Sequence, residues 1–388
     1  MQTTFVRDRF TWLAYGMLAY FAYLQASLGP ALPFLRQELN LSYTVAGFHA
    51  SAMALGMILA GSFADRIARR WGRHLTVWGG GCGMALGAIL IAVGNHPVFT
   101  IGGAGLMGAI GGLLLIMIQS TLADRYGPRR ATALTEANLT ASVGAMCVPL
   151  LMGLFQVSGI GWQAAMIVAA LVWMAAFLRL YRVPIPNDFG RGATVPGAQQ
   201  QTAGAPLPVV YWVFWSVIFC VVAIEWCMAY WGAAFLEQST GLGRAAASSV
   251  MSVFFAAVVA GRLLGSRLTL RFESTTLLLG SLGVAMLGFP LFWLASSVWL
   301  TLVGLFVTGF GIANLFPLTL SAATGVAPDQ ADRASARISL GAGVAILLAP
   351  QFLGTLADRI GVHGAYVVVP VLIVCAVVAT LIARRLQT

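Results

Sequence analysis

The sequence predicts an all-α membrane protein with twelve transmembrane helices in two pseudo-symmetric six-helix bundles. Three observations lead to this prediction: the composition is strongly apolar, the basic residues fall in alternate gaps between apolar stretches, and the two halves of the chain repeat each other. The 388 residues are 59% hydrophobic and 9% charged, whereas soluble domains carry about 25% charged residues. The composition therefore excludes an ordinary soluble domain.

Twelve apolar stretches are long enough to cross a bilayer, whose hydrocarbon core of about 30 Å takes roughly 20 helical residues. We number these predicted spans 1 to 12 in chain order. They cover about residues 10–35, 43–64, 75–95, 97–121, 132–157, 163–183, 208–235, 245–266, 275–296, 299–325, 337–357 and 364–383.

The basic residues predict the orientation of the chain. All 22 are arginine. With the N-terminus inside, 18 arginines lie in cytoplasmic gaps and three in outer gaps, while Arg262 lies within span 8. Basic loops stay on the cytoplasmic side, so both termini are predicted to be cytoplasmic, in a membrane of the bacterial inner (plasma) type. The net charge of +10 then reflects topology, and we expect no nucleic-acid partner.

One polar segment divides the spans six and six. Residues 184–207 are rich in proline, glycine and glutamine, a composition typical of flexible linkers. The sequence therefore predicts an N-terminal bundle over 1–183, a cytoplasmic linker over 184–207 and a C-terminal bundle over 208–388.

The two predicted bundles repeat at an offset of about 200 residues. Each matching pair occupies the same position in its own half, and two six-helix halves related in this way are typical of secondary transporters. The pairs are Phe34-Leu35 with Phe235-Leu236, Ala60-Gly61 with Ala260-Gly261, Pro149 with Pro350, and Gly153 with Gly354.

The segment after span 2 carries a more specific signal. Residues 61–70 read GSFADRIARR, which resembles the G-x-L-a-D-R-x-G-R-[KR] signature of the major facilitator superfamily, with Phe63 and Ala68 as departures. The resemblance implies a monomeric transporter with inward- and outward-open states. It also implies a small-molecule substrate and a central cavity lined by helices 1, 4, 7 and 10.

Glu225 is the clearest ionisable residue inside a span. A charge at mid-bilayer costs roughly 2.5–3.5 kcal/mol on insertion scales, so such residues are candidates for function. A carboxyl group removed from water can take up and release a proton near neutral pH. We predict that Glu225 couples transport to a proton gradient. Binding of a cationic substrate, or a protonated carboxyl that only packs, are the alternatives.

Other polar and aromatic residues on the cavity helices are candidates for substrate contact. They favour an amphipathic or cationic organic solute, since a strongly anionic one would need an arginine at mid-depth, and none is expected there. Pro317 also predicts a break in span 10, because proline frees a backbone carbonyl. The candidates are Tyr20, Tyr23 and Gln25 on span 1, Gln119 on span 4, Trp226 and Tyr230 on span 7, and Asn314 on span 10.

The resemblance also implies a cytoplasmic gate, because helix 2 packs beside helix 11 and helix 8 beside helix 5 in this family. Asp65 is then expected to meet Arg337 and the positive end of helix 11. Glu136 is expected to meet Arg262 or Arg267, with small residues allowing close approach. The predicted gate comprises Gly61, Asp65, Arg66, Glu136, Arg262, Arg267 and Arg337, with Gly261 as a second close-packing glycine.

His49, Met53 and Met57 recur every four residues on span 2. Such soft ligands on one helix face suit copper(I), although core packing explains the same spacing. No motif of a hydrolase or an ATP-binding loop occurs in the chain, so we expect neither an enzyme nor a cofactor.

The sequence thus predicts a secondary transporter of a small organic solute, driven by a proton gradient and held in lipid. The alternatives are proton-driven efflux of amphipathic compounds, transport of copper(I) or another metal, and a membrane receptor that binds its ligand without moving it.

Overall fold

The computed structural model describes residues 6–186 and 206–387. In these residues all regular structure is helical, with no strand, and a π-helical turn at Met107–Gly111 joins α3 to α4. This confirms the all-α prediction. The helices are α1 Arg9–Glu38, α2 Tyr43–Val93, α3 Pro97–Leu106, α4 Gly112–Tyr126, α5 Arg130–Val157, α6 Gln163–Leu180, α7 Val209–Thr240, α8 Arg244–Leu268, α9 Ser274–Leu294, α10 Val298–Ile312, α11 Leu315–Gly325, α12 Ala331–Ala365 and α13 Val368–Gln387.

Nine helical segments of the described chain are long and apolar enough to cross a membrane. Two of them, Tyr43–Val93 with 51 residues and Pro97–Val157 with 61 residues, are each long enough for two crossings, since a helix rises about 1.5 Å per residue. α1, with 30 residues, is not one of the nine. The membrane-spanning class is confirmed, while twelve crossings and cytoplasmic termini stay predictions.

The longest helix, α2, is broken at Gly72, where φ is 79° and ψ is 157°. An L side chain rarely adopts this backbone conformation, so the position requires glycine. The next residue, Arg73, is only 5% exposed and forms an ion pair with Asp124 of α4. α2 therefore contains predicted spans 2 and 3, with the family signature just before the break.

The chain folds into two compact units. Among the described residues, unit 1 contains those up to Leu28 and those from Ala52 to 186, and unit 2 contains Gly29–Ser51 and those from 206 onward. These units differ from the predicted bundles because Gly29–Ser51, the end of α1 and the first turns of α2, packs with the second half of the chain. Most of the predicted linker, 184–207, lies outside the described residues.

Close helix contacts in both units use glycine. In unit 1 a Cβ on Gly108 would lie 2.1 Å from the Met53 carbonyl oxygen. In unit 2 a Cβ on Gly304 would lie 2.1 Å from the backbone nitrogen of Phe292, which brings α10 against α9. Small residues allow such approach between membrane helices, which have no hydrophobic driving force between them.

Turn geometry repeats between the halves of the sequence. Asn40 and Gly241 lie 201 residues apart, and both have a positive φ, of 50° and 72°. Gly161 and Gly361 lie 200 residues apart, with φ of 99° and 75°. Asparagine and glycine are the residues that adopt this region most readily. Gly161 lies between α5 and α6, and Gly361 lies at a break inside α12. The recurrence of a positive φ at this offset supports the internal repeat read from the sequence.

Candidate functional site

The candidate site lies in unit 2 around Glu225, on α7. The Glu225 Oε1 atom lies 3.9 Å from Nη2 of Arg262, on α8. The side chains are 32% and 37% exposed, so both are partly withdrawn from solvent. The sequence predicts Arg262 in the cytoplasmic gate and no arginine at mid-depth in the cavity. The structure instead brings the acid and the arginine together.

Arg262 is held by a break in the neighbouring helix. In a continuous helix the Ala313 carbonyl would accept a bond from the residue four positions later, which is Pro317, and proline has no N–H. α10 ends at Ile312 and α11 begins at Leu315, which confirms the predicted break. The Arg262 Nε–H donates to the free Ala313 oxygen at 3.5 Å. Proline thus supplies the acceptor that helps to orient the arginine.

The same break is fixed from the other side by Asn314. Its amide donates to the Gly261 carbonyl oxygen at 2.7 Å. A Cβ on Gly261 would lie 2.6 Å from the Ala313 Cβ, and a Cβ on Gly265 would lie 2.4 Å from the Asn314 amide nitrogen. Ala313 and Asn314, the two residues of the break, therefore pack directly on Gly261 and Gly265 of α8. Asn314 stabilises this contact through its hydrogen bond.

We expect Pro317→Ala to reduce flux several-fold while raising the thermal unfolding midpoint. Alanine restores the helical N–H, so the Ala313 carbonyl no longer needs Arg262 and α10 can continue into α11. In the interior of such a continuous helix alanine is about 3 kcal/mol more favourable than proline. Pro290→Ala on α9 is the matched control, because Pro290 also lies inside a helix. Equal flux loss in both variants would contradict the proposed role of the break. Flux in vesicles and a melting curve measure the two effects.

Two predicted cavity residues of α1 have their hydroxyl groups engaged within unit 1. Tyr20 donates to the Gly81 carbonyl oxygen at 3.4 Å, and its ring stacks on Trp173 at 4.7 Å between centroids. Tyr23 donates to the Ala165 carbonyl oxygen at 3.0 Å. These contacts give both residues a packing role, and their predicted contact with substrate stays a prediction.

Three further candidates are half-buried: Gln25 on α1, Gln119 on α4 and Trp226 on α7. The Gln25 amide donates to the Met57 sulfur at 3.6 Å. Trp226 follows Glu225 directly, so it is the aromatic residue nearest to the candidate site along the chain. Contact of these three residues with substrate stays a prediction.

The residues of the copper alternative have other contacts. His49 is buried, and its Nδ1 atom lies 3.0 Å from the Ala46 carbonyl oxygen. Met53 is fully buried, and the Met57 sulfur accepts the bond from Gln25. In residues 6–186 and 206–387, no three His, Cys, Asp or Glu side chains are grouped so as to hold a metal ion.

A second polar cluster lies at the predicted outer end of unit 2. We call Arg36, Tyr43, Gln238 and Asp358 the outer cluster. The two Asp358 carboxylate oxygens accept the backbone N–H groups of Tyr43 and Thr44 at 2.7 and 2.8 Å. These are the first N–H groups of α2, which have no partner inside the helix. Asp358, on α12, therefore caps α2.

The Tyr43 side chain completes the outer cluster. The Arg36 guanidinium lies 3.3 Å from the centroid of the Tyr43 ring, a cation–π arrangement. The Gln238 amide donates to the Tyr43 hydroxyl. Sequence reasoning missed this cluster because its residues lie more than 300 positions apart at the extremes. Its sequence signals are Asp358, an acidic residue in an outer gap, and Arg36, one of the three arginines in outer gaps.

The segment Gly29–Ser51 also contacts α7 and α12 through hydrogen bonds from side-chain hydroxyls to backbone carbonyls. The Tyr230 hydroxyl donates to the Ala46 carbonyl oxygen at 2.6 Å, which engages a predicted cavity residue in packing. The Ser51 hydroxyl donates to the Leu347 carbonyl oxygen at 2.7 Å. A Cβ on Gly29 would lie 2.2 Å from the Ala229 carbonyl oxygen. This packing explains why Gly29–Ser51 belongs to unit 2.

Glu136, one of the two acids of the predicted gate, has partners within its own unit. Glu136 receives two bonds from Arg7, at 2.6 and 2.8 Å, and one from the Tyr15 hydroxyl at 2.9 Å. Arg262 has Glu225 as its acidic partner. Arg267 is exposed at the end of α8. The pairing of Glu136 with an arginine of α8 stays a prediction.

The remaining gate residues lie near the family signature and on α12. Asp65 and Arg66 are exposed, and a Cβ on Gly61 would meet no described atom within 4 Å. The Arg337 guanidinium lies 5.3 Å from the centroid of the Trp212 ring. The roles of these residues in a gate stay predictions.

The predicted pair of Asp65 and Arg337 is tested by exchanging the charges. We expect Asp65→Arg and Arg337→Asp each to reduce flux at least tenfold, and the double variant to recover most of it, because the exchange restores opposite charges. Flux and protein yield are measured for all three variants. A double variant no more active than the single variants would refute the pair.

The N-terminal residues before α1 form a second polar cluster in unit 1. Partial burial raises the pKa of Asp8, but hydrogen bonds from Thr11 and the Arg125 guanidinium outweigh it and lower that pKa below its usual range. Asp8 and Arg125 form an ion pair. This ion pair therefore links the start of α1 to the end of α4.

The fold and the site define a multi-pass membrane transport protein with two repeats. The chain belongs to the Major Facilitator Superfamily, whose profile matches residues 11–243 and 214–387. This confirms the resemblance read from residues 61–70 and places the protein among secondary transporters, outside the enzymes.

Curated relatives and solved structures agree with this assignment. An uncharacterised MFS-type transporter of Yersinia pestis is 23% identical over 339 residues, 86% of this chain and 85% of that protein. An uncharacterised transporter of Bacillus subtilis is 24% identical over 352 residues, 86% and 82% of the two chains. A bacterial homologue of the human lysosomal transporter Spinster matches with a TM-score of 0.74 at 15% identity over 96% of both chains. These structural likenesses show the fold.

Proposed function

We propose that this protein moves a small organic solute across a bacterial-type inner membrane by alternating access, and that Glu225 carries the coupled proton. The observation that carries the proposal is the pair of Glu225 and Arg262, an acid and a base 3.9 Å apart within membrane-spanning helices. Intramembrane charges of this kind mark proton and substrate pathways.

The pair suggests how proton and solute binding are linked. Two unit charges about 4 Å apart attract by about 4 kcal/mol at an effective dielectric constant of 20. This attraction offsets much of the cost of placing the two charges inside the membrane. Protonation of Glu225 removes this attraction. The positive charge of Arg262 is then no longer neutralised and can bind an anionic group. An anionic or zwitterionic group of the solute would then replace the carboxylate. The expectation against anionic solutes depended on the absence of an arginine, and Arg262 removes that reason.

The outer cluster supports alternating access. Its contacts are a helix cap, a cation–π contact and single hydrogen bonds, each of which water can replace when the surfaces separate. The Spinster homologue has been solved in inward-facing conformations, occupied and unoccupied. We propose that the packing of Gly29–Ser51 on α7 and α12 closes the outer side of this chain in a comparable state.

Flux in reconstituted vesicles tests the proposal. A thermal-stabilisation screen of organic anions, zwitterions and cations identifies a solute, which is then followed with and without an imposed pH gradient. Uptake that depends on the gradient supports proton-coupled transport, and the gradient direction that drives net movement separates uptake from efflux. Stabilisation without flux would indicate a receptor, and flux of copper(I) alone would indicate the metal alternative. Either result would overturn the proposal.

A further inference from the structure

A groove of about 1260 Å³ lies in unit 1, between the start of α1 and the end of α6. Its walls are largely apolar, and they include Trp12, Trp78 and Trp173. Trp12 is 61% exposed, whereas Trp78 and Trp173 are buried and form the floor. The volume exceeds the roughly 300–1,000 Å³ of pockets for small molecules. Tyr20, a predicted cavity residue whose hydroxyl is engaged within unit 1, also lines this groove, whereas the Glu225–Arg262 pair belongs to unit 2.

The rim of the groove is cationic. Four arginines, Arg9, Arg125, Arg179 and Arg182, line it together with a single acid, Asp8. Asp8 is already paired with Arg125. Arg9, Arg179 and Arg182 are exposed, and no acidic side chain of the described chain forms an ion pair with them. Three guanidinium groups are therefore available at the mouth of an apolar groove.

The groove also lies where a lipid can reach it. Arg9 precedes predicted span 1, and Arg179 and Arg182 lie at the predicted cytoplasmic end of span 6. α6 exposes large apolar side chains such as Val172 and Leu178, and exposed apolar residues on a membrane helix suit contact with acyl chains. The cytoplasmic leaflet carries anionic lipids, and basic pockets between transmembrane helices on that side bind their head groups.

We propose that this groove binds one anionic phospholipid of the inner leaflet. The phosphate contacts the guanidinium groups of Arg9, Arg179 and Arg182, whose planar donors match phosphate oxygens. An acyl chain lies along Trp173 and Ala176, where each methylene removed from water stabilises the complex. Strong binding requires both the arginine rim and the apolar walls. A soluble anion would contact only the rim, and a neutral lipid would contact only the apolar walls.

Binding of phosphatidylglycerol to the delipidated full-length protein tests this proposal, with bound lipid counted by native mass spectrometry. We expect the combined change of Arg9, Arg179 and Arg182 to Gln to weaken binding at least tenfold. The matched control changes Arg130, Arg271 and Arg384 to Gln, which removes the same charge from exposed positions outside the groove. Equal losses in the two triple variants would show a general charge effect and overturn the proposal.

The acyl-chain part is tested separately. Ala176→Phe fills the groove and should also weaken phosphatidylglycerol binding, whereas Ala175→Phe, at an exposed neighbouring position that does not line the groove, should not. Wild-type protein should prefer phosphatidylglycerol to phosphatidylcholine. Binding that survives Ala176→Phe and is displaced by millimolar inorganic phosphate would show an anion site without a lipid, and would overturn the proposal. Melting curves of all variants show that they are folded.

Discussion

We expect Glu225→Gln to abolish solute accumulation driven by a pH gradient, while exchange of solute across the membrane without a gradient continues. Glutamine has nearly the same shape as glutamate and cannot ionise, so the variant resembles a permanently protonated Glu225. Arg262 then lacks the partner that lies 3.9 Å away in the wild-type protein. Binding and conformational exchange persist, but no proton is released to complete a coupled cycle.

The matched control for this variant is Glu237→Gln, which removes an acid from the same helix. Glu237 pairs with Arg244 at 2.7 Å near the end of α7, far along the helix from Glu225, so its charge lies outside the proposed coupling site. We expect its gradient-driven flux to stay within about twofold of wild type. If Glu225→Gln accumulates solute as the wild-type protein does, Glu225 has no part in coupling.

The second large effect is expected from Gly29→Ala. The added Cβ would lie 2.2 Å from the Ala229 carbonyl oxygen and 3.0 Å from the Tyr230 Cα. Because both are backbone atoms, the helices must separate, and overpacking of this kind costs about 1–3 kcal/mol. The cost falls on the state in which Gly29–Ser51 packs on α7. We therefore expect the population to shift toward the outward-open state and flux to fall at least tenfold.

The shift is measured by labelling a cysteine at Ser51 with an impermeant maleimide applied from outside, after the five native cysteines have been replaced. Serine and cysteine are similar in size, and Ser51 contacts Leu347 within this packing. Gly16→Ala on the same helix is the control, since a Cβ there meets nothing within 4 Å. Faster labelling in Gly29→Ala only is the expected result. Unchanged labelling in both variants would mean that this packing does not close the outer side.

The fold was predictable from the sequence because lipid imposes strong constraints on it. Long apolar stretches, the arginine pattern and the offset of about 200 residues led to an all-α transporter, and Pro317 located the break between α10 and α11. These features depend on local composition or on a single residue. The twelve crossings and the positions of the termini follow from the same patterns and stay predictions.

The partners of individual side chains were harder to predict, because a helix has several faces and the sequence does not show which face meets which neighbour. For Tyr20 and Tyr23 the sequence showed no sign of the hydroxyl partners within unit 1, and their contact with substrate stays a prediction. For Arg262 the sequence did not indicate the neighbouring Ala313 carbonyl and Glu225, and its role in a gate stays a prediction. Asp358 was missed because capping of α2 from α12 depends on tertiary packing.

Proton movement into vesicles loaded with a pH-sensitive dye tests most directly whether Glu225 couples proton and solute. When the solute is added outside wild-type vesicles at equal internal and external pH, the interior should acidify as solute enters. Vesicles with Glu225→Gln should exchange solute without acidification. Solute entry into wild-type vesicles with no change in internal pH would contradict the coupling.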